Sequence, residues 1–144
     1  MKFAPALVVA ALFVAGCGTI SSAQSVTNWL NQSAFSRAHH TLISDTTRAE
    51  RLLATSNSSA AELHTVCGIL TIDAASAGAS LPTPDPQGTK LLATAYETMS
   101  AGSKICYGAA MSSSQRSQAV DLLRKSLPEL SFAALRLAVA STRG

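Results

Sequence analysis

Aromatic side chains are scarce in this chain: one Trp, two Tyr and four Phe make up 5% of its 144 residues. Any core must therefore be assembled from aliphatic and small side chains, which let backbones approach closely but bury little area each. Charge is thin as well. Charged residues are 13% of the chain, eleven Lys and Arg stand against eight Asp and Glu, and no cationic cluster is long enough to track a nucleic-acid backbone. No apolar run reaches the about 20 residues that a bilayer-spanning helix needs. The three cysteines include no Cys-x-x-Cys pair, so neither a zinc site nor a tuned redox dithiol is indicated. Gly-x-Ser-x-Gly and Ser-x-x-Lys are missing too. Ser100-Ala101-Gly102-Ser103-Lys104 lacks the spacing of a phosphate loop and falls inside a helical pattern. No catalytic residue, metal ligand or cofactor site is assigned, and the chain is read as a non-enzyme.

What is present begins at the N-terminus. After Met1-Lys2, residues 3–16 carry no charge and are mostly Ala, Val, Leu and Phe, ending in Val14-Ala15-Gly16-Cys17. A short apolar segment behind a single cation reads as a signal peptide rather than a membrane span. The small-small-Cys ending resembles the lipobox of bacterial lipoproteins, in which the Cys thiol is acylated before the leader is removed. The resemblance implies a leader over 1–16, lipidation of Cys17, and a chain anchored to the outer face of the cell membrane. Residues 17–24 then form a flexible tether and 25–144 the folded domain. Loss of Lys2 lowers the formal charge from +3 to +2, too little for an electrostatic partner argument. Ser21-Ser22-Ala23 offers an alternative: cleavage before Gln24 releases a soluble, secreted chain without Cys17.

With Cys17 assigned to lipid, Cys67 and Cys106 remain as an even pair in an exported, oxidising setting, and a disulfide between them is the natural inference. It would stabilise the fold by about 4 kcal/mol on the chain-entropy model. Two separately buried thiols are the alternative.

From Val26 the apolar period is helical. Val26, Trp29, Leu30, Ala34, Ala38, Leu42, Ala49, Leu52 and Leu53 fall three or four apart on one face. Ser56 to Ser59 interrupts them, with Ser58 or Ser59 as a cap and Glu62 placed for a capping box. A second segment carries Leu63, Val66, Cys67, Leu70, Ala74 and Ala77 inward and ends near Gly78 or Ser80. Leu81-Pro82-Thr83-Pro84-Asp85-Pro86 reads as a stiff extended connection. Asp85 caps a third helix with Pro86 at its first position, followed by Leu92, Ala95, Met99, Gly102, Cys106 and Ala109. Ser112 to Ser114 caps a fourth, carrying Ala119, Leu122, Leu123, Leu127, Leu130, Ala134 and Leu137, which Pro128 kinks or divides. The expected fold is all-α, an antiparallel four-helix bundle whose second and third helices form a hairpin stapled by one disulfide. Cys67 lies about 18 Å from the end of its helix and Cys106 about 30 Å into the next. The Pro-rich connector supplies the overshoot that lets the sulfurs meet.

Among side chains that carry chemistry, His39 and His40 point about 100° apart on a helix. His64 lies on another, so solvated helix-surface histidines are expected. Asp45 and Asp73 fall at the edges of apolar stripes. They read as intra-bundle ion pairs, Arg48 or Arg51 serving the first, or as a polar spot in a cleft. Trp29, Tyr96 and Tyr107 are assigned to the core or its edge.

The lipobox, the two cysteines flanking Leu81-Pro82-Thr83-Pro84-Asp85, and the Ala/Ser/Thr/Arg-rich helical composition together resemble small actinobacterial, mycobacterial-type lipoproteins. The resemblance implies a disulfide-stapled helical domain on the cell envelope and no particular activity. Two functions follow as expectations. One is a structural or protein-interaction module with an envelope protein as partner and no nucleic acid. The other is a bundle that binds a small ligand or lipid in an apolar pocket opened by the Pro128 kink.

Overall fold

The computed structural model describes residues 21–55, 57–108 and 110–143. Among them are five α-helices and no strand: α1 (Ser22–Gln32), α2 (Phe35–Ala54), α3 (Ala60–Gly78), α4 (Pro86–Tyr107) and α5 (Ser113–Thr142). Cys17 and the leader lie outside the described residues, as does Ala109, and α4 has ended by then. None of these helices is long and apolar enough to cross a membrane.

The first expected helix is two. A continuous stripe from Val26 to Leu53 predicts one rod, but the chain turns at Ser33–Ala34. Asn31 and Ser33 are weak helix formers whose side chains compete for backbone groups, and the Ser33 hydroxyl bonds the Trp29 carbonyl at 2.8 Å. Ala34 is left-handed, with φ 50°, and caps α2 without a side-chain hydrogen bond. The turn resets the phase of the stripe. Ala34 is exposed and Phe35 is buried in its place, its ring 5.7 Å from Trp29.

The other helix starts follow local chemistry. Ser59 caps α3 by accepting the Glu62 amide, but the Glu62 carboxylate turns to Arg48 of α2 at 2.8 Å. Ser112 and Gln115 close a reciprocal capping box on α5. That helix runs unbroken through Pro128, so the chain does not divide there.

The core is aliphatic, as the poverty of aromatics requires. Leu42, Leu70, Leu92, Met99, Leu123, Leu130 and Leu137 are fully buried among Ala49, Ala74, Ala95, Ala119 and Ala133. Packing is tightest between α4 and α5, where two glycines of α4 face leucines. A Cβ on Gly88 would stand 2.6 Å from a Leu137 methyl, and one on Gly102 3.0 Å from Leu123. Cys67 and Cys106 are bonded between α3 and α4, their Cα atoms 5.8 Å apart. Beside them the Thr71 hydroxyl donates to Ser103 at 2.8 Å. Helix α2 packs against α3, α3 against α4, α4 against α5 and α5 against α2, whereas the backbones of α3 and α5 stand apart. The short α1 lies against α5 and α2.

Candidate functional site

The most apolar recess lies where the α1–α2 turn meets the end of α3. Small residues make it: Ala34, Ala38, Ala77 and Ser80 leave space that larger side chains would fill. Phe35, Leu42 and Tyr96 form its buried floor, and the cavity is about 280 Å³. That is near the lower limit for a site enclosing a small molecule. Its walls come from α2, α3 and α4, not from the Pro128 region of α5.

Three polar groups converge there. Arg37 and Asp73 line the mouth, and Tyr96 presents its phenol from α4. Burial pushes the Tyr96 hydroxyl up to about 12, so it stays a neutral donor. The turn behind the recess is held from outside it, by the Trp29 indole donating to the Ser80 carbonyl at 3.1 Å.

Asp45 and Asp73 were each expected to find a cation, and for Asp45 the structure does not supply one. Arg48 is engaged by Glu62. The Asp45 carboxyl on α2 is instead held above the usual carboxylate range, first by burial and then by the neighbouring Asp73 charge on α3, with Arg48 only partly offsetting them. Glu50 is raised too, by burial against a weaker opposing pull from Arg124.

The ion pair that sequence reading missed is Asp85–Arg136. Asp85 caps α4 by accepting the Gly88 amide at 2.7 Å, while both its oxygens take hydrogen bonds from Arg136 of α5 at 2.9 and 2.7 Å. The Arg136 hydrogen bonds dominate over burial, and the Gly88 amide adds to them, holding the carboxyl below its ordinary range. Thr83, also buried, bonds the Asp85 backbone from the Pro-rich connector. No periodicity links position 85 to position 136, so only the tertiary fold reveals the pair. Around it Ser22, Val26, Pro84, Ala140 and Arg143 line a small recess where α1 begins.

The histidines are not brought together. His39 packs on Phe35, ring centroids 5.6 Å apart, and His40 stands edge-on to it. Burial, with a lesser push from His40, lowers the His39 pKa, favouring its neutral form. His64 stacks on Tyr107 with centroids 3.9 Å apart, and its Nδ1 donates to the Tyr107 carbonyl. Among the described residues no three His, Cys, Asp or Glu side chains group to hold a metal ion.

Two exposed apolar pairs complete the surface. Ile69 and Ile72 on α3 are 46% and 66% exposed, and Phe132 and Leu135 on α5 are 65% and 62% exposed. Each pair is spaced three apart and shares a helix face. No family model, curated protein or solved structure matches this chain.

Proposed function

We propose that the chain is a lipid-anchored module of a bacterial cell envelope, similar to the small actinobacterial lipoproteins, acting through protein contact and not through catalysis. On this reading residues 1–16 are a leader, Cys17 carries the acyl chains, and an antiparallel bundle of α2 to α5 is stapled at its α3–α4 hairpin and kinked at Pro128. Contacts that run oppositely along α3 and α4 support the hairpin: residue 67 meets 106, 71 meets 103, and 77 and 80 share a recess with 96. Cleavage at Cys17 is favoured over cleavage before Gln24 by the first turn of α1. Ser21 is its N-cap, accepting the Gln24 amide at 3.2 Å, and Ala23 is only 7% exposed. The later cut would strip both from the folded domain.

The observation that carries the interaction reading is the Ile69–Ile72 face of α3, two large aliphatics left in solvent side by side on one helix face. A photo-crosslinker at position 72 in the intact envelope is expected to capture one defined protein, and Ile69→Glu to abolish that adduct without altering the circular dichroism spectrum. Uniform labelling of abundant neighbours, unchanged by Ile69→Glu, rejects it.

The cavity between α2, α3 and α4 supports a second reading, a small-ligand site floored by Phe35, Leu42 and Tyr96 and lined also by Asp73 and Arg37. Native mass spectrometry of the full chain decides between them. A co-purifying small molecule lost in Ala38→Leu, which fills the recess, selects ligand binding. Bare protein in both selects the interaction module.

A further inference from the structure

The outward line of α5 carries more than its two exposed hydrophobics. Lys125, Pro128, Phe132, Leu135 and Val139 succeed one another at steps of three and four along one face of α5, and Arg143, the non-helical residue that caps it, follows four positions on. All are exposed except the half-buried Val139. The pattern is an apolar centre with a cation at each end. We propose that this face of α5 lies on an anionic lipid surface, the same membrane that Cys17 ties the chain to; the proposal rests on the anchored reading above.

Where the chain enters the domain argues for this occupant. Ser22, the first residue of α1, shares a recess with Arg136, Ala140 and Arg143, at the C-terminal end of the line. Cys17 stands four residues before Ser21, a reach of at most about 14 Å. Phe132 lies eleven residues back from Arg143, about 16 Å along the axis. A lipid on Cys17 therefore holds the bilayer within reach of the stripe. Phe132 and Leu135 would enter the boundary between headgroups and acyl chains, while Lys125 and Arg143 extend their stems along it and keep their charges among anionic headgroups. The carboxylates on that side do not cancel this. Glu129, 3.8 Å from Lys125, offsets part of that one charge, but its side chain is mostly covered, and Asp121 stands a turn beyond Lys125, outside the apolar centre. The Ile69–Ile72 face belongs to α3, whose backbone stands apart from that of α5, and on this proposal it stays free of the bilayer and open to a protein.

The test places a reporter on each face. Full chain with Phe132→Trp or Ile72→Trp is produced in a host that acylates lipoproteins, its mass is read for a lipidated Cys17, and it is reconstituted into phosphatidylglycerol–phosphatidylethanolamine vesicles. Trp29 contributes equally to both variants. Brominated lipid is expected to quench the Phe132→Trp emission by roughly half and to leave Ile72→Trp unchanged, as burial at headgroup depth requires. Equal quenching in the two variants, with Cys17 lipidated, overturns the docking and leaves the anchor standing. So does a Phe132→Glu substitution that turns a dimer into a monomer while Phe132→Trp goes unquenched, since the face then meets a second copy. An unmodified Cys17 overturns the anchor itself, and this proposal with it.

Discussion

Asp85 carries three roles at one carboxylate: helix cap, closure of the Pro-rich connector, and ion pair to α5. Its side chain is 10% exposed and that of Arg136 is 32%. Removing the cation strands a largely covered charge, so Arg136→Met should lower stability, by less than the loss of a fully buried pair because Arg136 keeps partial solvent access. The pH dependence has a definite sign. Asp85 is depressed in the fold, so the stability it contributes is complete above the ordinary carboxylate range, near pH 4, and is lost as pH falls through its lower folded value. Urea titrations at descending pH should show the wild-type and Arg136→Met curves converging in acid. A constant gap would mean that the Arg136 stem, and not its charge, carries the effect. Asp85 was legible in sequence as a cap because Asp before Pro is a local signal. Its partner, fifty-one positions on, was not.

The starts of the helices after position 59 were legible because each N-cap lies within three residues of the amide it satisfies. Ser59, Asp85 and Ser112 all do this. The break at Ser33–Ala34 was not legible, because Ala is a strong helix former and its left-handed backbone is imposed by the way α1 folds back onto α5 and α2. That conformation costs an L-residue about 1–2 kcal/mol, and glycine accepts it freely at the expense of a more mobile unfolded chain. Ala34→Gly should therefore leave stability unchanged or raise it by up to about 1 kcal/mol, and Ala34→Val should lower it, as read from thermal midpoints. A loss in Ala34→Gly would show that the turn is not strained. The same break explains why the cavity went unread: Ala34 and Ala38 were assigned to a continuous core stripe, and the turn lifts them to the rim of a recess.

Over the whole molecule, the all-helical class follows from period and composition, since few aromatics and many Ala and Leu leave helix packing as the way to close a core. The number of helices needed the fold. Cys67 and Cys106, 39 residues apart, close a long loop around the α3–α4 connection. Cys67→Ala with Cys106→Ala should lower unfolding stability by about 4 kcal/mol on the chain-entropy model, measured against the oxidised wild type. Reduction of the wild type should move its denaturation midpoint toward that of the double variant. A midpoint indifferent to reductant would mean that the helix packing alone holds α3 against α4.

The recess shared by Ser22, Asp85, Arg136 and Arg143 also brings the beginning and the end of the folded domain side by side. An affinity tag or fluorophore attached after α5 therefore starts beside the point where the chain enters α1 and, on the anchored reading proposed above, crowds the membrane-facing side. The connections between α2 and α3 and between α4 and α5 lie together at the other end, where Arg116 bonds the Leu53 carbonyl and His64 that of Tyr107. A handle placed in either of them leaves the end shared by Ser22 and Arg143 unobstructed, and experiments on partner capture or lipid contact depend on that choice.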